Sequence, residues 1–139
     1  MSSLKPNQIT VEEYLESLDD KKLLLAKSLI AFFEAITGYP AVMWNHRIVG
    51  FGEYAYRYAS GHSGVSSLVG FAINRNDFVV YLNSNSEARD QLIAQLKPYK
   101  TGVGCCYFKS FEEINNDLFK QLIQVVIDDI QTLFPKEAI

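Results

Sequence analysis

The chain has 139 residues, 48% of them hydrophobic and 13% aromatic, with a net charge of −3. This apolar content suffices for one core in a single domain and excludes disorder of the whole chain. The negative balance argues against a basic nucleic-acid binder.

Residues 1–8 read as a tail, because Met1 to Asn7 is polar and lacks the apolar stretch of a secretory signal. Thr10 to Leu18 predicts a short helix. Thr10 and Glu13 have the spacing of a capping box, and Ile9 can staple against Tyr14. A second helix is predicted from Asp20 to Thr37, with Leu25, Leu29, Phe32, Phe33 and Ile36 on one stripe and Gly38 as its stop. Its most apolar stretch, Ser28 to Phe33, is too short to span a bilayer.

The period then changes. Ala41 to Trp44 and Ile48 to Phe51 predict strands around a turn at Asn45-His46. Glu53 to Ala59 alternates, which places Tyr54, Tyr56 and Tyr58 on one face. Ser60 to Gly64 reads as a loop, and Leu68 to Ile73 with Phe78 to Leu82 as a hairpin. Ser86 to Leu96 predicts a helix with Leu92, Ile93 and Leu96 inward, and Gly104 to Phe108 a strand after a glycine-rich turn. Ser110 and Glu113 have capping-box spacing. Asn116 can cap a final helix to Phe134, with Leu118, Leu122, Val125, Val126, Ile130 and Leu133 on its apolar stripe. This order predicts an α+β fold, an antiparallel sheet of about five to six strands packed with N-terminal and C-terminal helices.

Three features bear on chemistry. Lys100 to Gly104 is not a phosphate-binding P-loop; its glycines can form an anion nest beside Lys100 or simply a tight turn. Cys105 and Cys106 are adjacent, so on a strand they point to opposite faces and read as structural thiols of a reduced, cytoplasmic protein. Tyr54, Tyr56 and Tyr58, with Trp44 on a neighbouring strand and Lys100 and Lys109 at the rim, form an aromatic sheet face for a small ligand, a protein partner or a second copy of the chain. The alternative is that the final helix covers these tyrosines. No spacing points to a catalytic triad or to paired carboxylates, so binding is favoured over catalysis.

The ordered motifs carry a resemblance. Val11-Glu12-Glu13-Tyr14-Leu15, Val42-Met43-Trp44, Ile48-Val49-Gly50-Phe51-Gly52, Tyr56-Arg57-Tyr58-Ala59-Ser60-Gly61, Leu68-Val69-Gly70-Phe71, Val79-Val80-Tyr81-Leu82, Lys100-Thr101-Gly102 and Tyr107-Phe108-Lys109 resemble the YdhG-like family of unknown function, from Thr10 to Ile130. The resemblance implies a small cytosolic α+β domain of bacterial style. Some relatives are frataxin-like and linked to iron delivery for iron–sulfur cluster assembly, which implies iron at an acidic surface. Here that surface would be Glu12, Glu13, Glu16, Asp19 and Asp20, with Glu12, Glu16, Asp19 and Asp20 near one face if the first helix runs through Asp20. From the residues alone, the same carboxylates read first as a solvated helix face with favourable charge at helix N-termini.

Overall fold

The computed structural model describes residues 9–44, 47–57 and 59–134. In chain order the elements are α1 (Val11–Glu16), α2 (Asp20–Thr37), β1 (Ala41–Met43), β2 (Val49–Phe51), β3 (Tyr54–Arg57), β4 (Ser63–Ser66), β5 (Val69–Ile73), β6 (Phe78–Tyr81), α3 (Glu87–Leu96), β7 (Lys100–Gly102), β8 (Cys105–Phe108) and α4 (Asn116–Leu133). Six strands form one antiparallel sheet in the order β1-β2-β5-β6-β8-β7, while β3 and β4 pair only with each other. The fold is therefore α+β, as the element order predicts. Among the described residues no helix is long and apolar enough to cross a membrane.

The helix ends follow local chemistry. The Thr10 hydroxyl accepts from the Glu13 N–H at 3.0 Å, and the Glu13 carboxylate accepts from the Thr10 N–H at 3.1 Å, so the capping box closes. α1 stops at Glu16, short of the predicted Leu18. The Ser17 hydroxyl turns back to donate to the Tyr14 carbonyl at 2.6 Å, and Asp19 caps α2 by accepting from the Lys22 N–H at 2.9 Å. Gly38 ends α2 at φ 75°, where only glycine sits without strain.

Register decides what each strand buries. Val49 and Phe51, Val69 and Phe71, Phe78 and Val80, and Cys106 and Phe108 share the face toward the helices. There the Phe33 ring of α2 stacks on Phe51 at 4.9 Å and meets Phe119 of α4 edge-on at 5.8 Å. Phe33, Phe51, Phe71, Phe78 and Phe119 are fully buried. Each such side chain contributes about 1.5–3 kcal/mol by the area it removes from water, so these rings hold the helices to the sheet. On the opposite face Gly50 and Gly70 are register partners, and the Trp44 indole covers Gly50.

Five local expectations change. Ser63–Ser66 is a strand, not part of a loop, and Lys100–Gly102 is a strand rather than a turn. Ser110 and Glu113, which have capping-box spacing, flank no helix start: residues 111–114 form a turn, with Phe111 drawn inward against Phe32 at 5.3 Å and Ile114 buried. Asn115, one residue earlier than expected, caps α4 by accepting from the Leu118 N–H at 3.1 Å. The buried stripe of α4 runs through Phe119, Leu122, Ile123, Val126 and Ile130, and leaves Leu133 exposed.

Candidate functional site: a cleft at one end of the sheet

After β2 the chain turns at Gly52, φ 70°, and leaves the main sheet to form the β3–β4 hairpin. Alternation puts Tyr54 and Tyr56 on one half-buried face, with Ala55 and Arg57 exposed on the other. The Tyr54 ring stacks on Phe134, just past α4, at 5.7 Å, and Tyr56 stacks on His62 at 6.1 Å. These tyrosines line one wall of a cleft of ≈ 600 Å³.

The rest of the cleft comes from three other segments. The β7–β8 turn, Val103-Gly104, contributes an edge, with Gly104 at φ 72°. Its carbonyl accepts from the Leu82 N–H at 2.7 Å, which pins the turn to the end of β6. Asn83, Ser84 and Asn85 follow, and then Arg89 from the first turns of α3. The Ser86 side chain places α3: it accepts from the Arg89 N–H at 3.1 Å and donates to the Asp129 carboxylate of α4 at 2.6 Å.

Arg89 is the only charged side chain in the cleft lining among the described residues, and no carboxylate joins it there. It is 11% exposed, and its Nη1 lies 2.8 Å from the Asp90 carboxylate. Asp90 is 62% exposed, so water screens that pair and weakens it. Arg89 Nε and Ser84 Oγ are buried without a hydrogen-bond partner among the described residues. The arrangement offers donors and one positive charge beside two aromatic rings.

The structure divides the residues expected at the aromatic face. Tyr54 and Tyr56 line the cleft; Tyr58 lies outside the described residues. Trp44 does not join them. It is 4% exposed and packs over Gly50 in the main sheet, because the tyrosines leave that sheet with β3. Lys100 and Lys109 rim other rings: Lys100 sits 4.3 Å over Tyr107, and Lys109 4.7 Å over Tyr99. Register places Tyr81, Cys105 and Tyr107 on the sheet face away from the helices, so a tyrosine face with a basic rim exists, built from other tyrosines. A hydrogen bond with Cys105 holds the Tyr107 phenol above its ordinary value, and burial raises Tyr81. Nearby, burial acts to raise the Asp77 carboxyl, but hydrogen bonds from Tyr99 and Asn74 and the charges of Lys100 and Lys109 prevail and hold it below its usual value.

The thiols separate as expected. Cys106 is fully buried toward the helices, and burial pushes its thiol up to about 12; Cys105 is half-buried on the other face. Glu12, Glu16, Asp19 and Asp20 are exposed, but they do not share one helix, because the break between Glu16 and Asp20 splits them between α1 and α2 and commits Asp19 to capping. Among the described residues no group of three or more His, Cys, Asp or Glu gathers as a metal site. Arg89, Asn83, Ser84 and Asn85 were not expected at a site. Arg89 follows the Ser86 cap by three residues, which places it on the cap's side of α3, and that spacing was the one signal available for it.

No family model, curated protein or solved structure matches the chain.

Proposed function

We propose that this chain is a binding domain that receives a small organic ligand in the cleft between the β3–β4 hairpin and the β7–β8 turn. One observation carries the reading: four separate segments converge there to bring two tyrosine rings, one arginine and several polar side chains around ≈ 600 Å³. That volume is within the usual span of small-ligand sites, and a mixed aromatic and polar lining suits recognition. The motifs from Val11-Glu12-Glu13-Tyr14-Leu15 to Tyr107-Phe108-Lys109 support grouping the chain with the YdhG-like family, in a cytoplasmic role. No observation favours the iron-delivery reading, since Glu12 and Glu16 lie on α1, Asp20 lies on α2, and Asp19 between them caps α2.

The test is a fragment titration followed by amide chemical shifts. Small ring compounds are expected to move the amides of Asn83, Asn85, Arg89, Gly102 and Gly104. Tyr56→Ala is expected to weaken those shifts while thermal unfolding stays cooperative. Shifts confined to other surfaces, with the cleft silent, would overturn the reading.

A further inference from the structure

We propose that the ligand of this cleft is a ring-bearing oxyanion, a small aromatic carboxylate or aryl phosphate, with its acidic group toward Arg89 and its ring against Tyr54 and Tyr56. The inference rests on the cleft being the binding site and adds the chemistry of what enters it.

Charge points one way. The chain as a whole carries −3, yet the cleft lining holds one cation and no carboxylate among the described residues. Of the nearby acids, Asp129 accepts from the Ser86 hydroxyl, and Asp90 takes one N–H of Arg89 Nη1 at 2.8 Å from a position open to solvent, so the pair engages only part of the guanidinium fork. Asn83 and Asn85 supply amide donors. A guanidinium recognises carboxylate and phosphate by paired N–H donors, and it gains most where its stem is already immobilised, as the 11% exposure of Arg89 indicates.

The rings add the second half of the ligand. Tyr54 and Tyr56 lie 6.1 Å apart between centroids with their planes 54° apart. Phe134 stacks with Tyr54 and His62 with Tyr56, which fixes the orientation of both rings. Fixed rings present edges and faces to a planar guest without an ordering cost. A bare inorganic anion would leave this wall unused, and a neutral ring would leave Arg89 unused.

The experiment titrates phenyl phosphate, benzoate, inorganic phosphate and benzyl alcohol separately into the protein, reading the amides of residues 83–89 and 102–104. Phenyl phosphate or benzoate is expected to bind at least about tenfold more tightly than benzyl alcohol, the value of one charge-assisted hydrogen bond. Whichever of the two binds better identifies the oxyanion. Arg89→Gln is expected to remove that preference. Tyr56→Leu is expected to weaken both ring anions and leave inorganic phosphate unchanged. Val103 is fully exposed at the cleft edge, so Val103→Glu should leave folding intact and weaken the anions, but not benzyl alcohol, even if Arg89→Gln fails to fold. Equal binding of benzyl alcohol and the ring anions in the cleft would overturn the inference while the binding reading stands. Anion shifts mapping to the Lys100 and Lys109 end would overturn it too. A cleft silent to every ring compound would remove the binding reading itself.

Discussion

The Trp44 indole occupies the space in which a side chain at Gly50 would stand: a methyl group there would lie 2.6 Å from the indole Nε1 and 2.7 Å from the Ser67 Cβ. Gly50 faces Gly70 across the β2–β5 ladder, so the sheet is thin at this point and the indole lies against backbone. Gly50→Ala is expected to destabilise the fold by about 1–3 kcal/mol through overpacking, with a change in Trp44 fluorescence. Gly38→Ala meets open space and is expected to cost about 1–2 kcal/mol from its left-handed backbone alone, with fluorescence unchanged. Denaturant titration of the two variants separates crowding from conformational strain.

Ser86→Ala removes two bonds with one atom. The α3 cap and the tie to Asp129 both depend on that hydroxyl. The expected loss is about 1–2 kcal/mol in urea unfolding. Hydrogen exchange should quicken first in the opening turn of α3. A stability equal to the parent's would show that the cap is idle.

Alkaline pH should weaken the fold through Cys106. Its thiol loses a proton near 9.0 in the unfolded chain and near 12 in the folded one. Between those values the unfolded state binds fewer protons, so stability falls as pH rises, by at most about 1.4 kcal/mol per pH unit for this group. Burial also raises Tyr14 and Tyr81, which adds to the fall above pH 10.0. Cys106→Ala is expected to flatten the dependence between pH 9 and 10, below the tyrosine range. At neutral pH a thiol reagent should modify Cys105 and leave Cys106 intact until the protein unfolds.

Tyr99→Phe should raise the Asp77 titration midpoint, because the phenol donates to that carboxylate. The depressed carboxyl contributes stability above its unfolded value, and that contribution is lost as pH falls through the folded one. Carboxyl carbon shifts followed over an acid titration give the midpoint directly. An unmoved midpoint would mean that the lysine charges and Asn74 alone account for it.

Much of the scaffold was legible because it rests on periodicity. The stripes of α2 and α3 and the Val69–Tyr81 hairpin follow from side chains that must reach one core. β4 and β7 were not legible. Ser63–Ser66 and Lys100–Gly102 have almost no apolar content, and both are strands because neighbouring backbone pairs with them, which side chains do not announce. At the site, alternation revealed Tyr54 and Tyr56, yet it could not show that β3 abandons the main sheet at Gly52 and so parts from Trp44. Nothing in the sequence around Arg89 sets it apart from other helix charges. Its place depends on the contact between α3 and α4 and on the β7–β8 turn arriving beside it, relations between segments far apart in the chain.

The β3–β4 hairpin hangs from a ladder that is complete without it. Phe51 already pairs with Val69, so the six-stranded sheet needs only a short bridge between those two residues. The segment that supplies the tyrosine wall can therefore lengthen, shorten or exchange its rings while the phenylalanine core keeps its register. Variation in this fold has a natural cassette here, one in which ligand preference changes independently of foldability. Excising residues 54–65 should leave a folded sheet with no cleft, an empty platform onto which other recognition loops can be grafted.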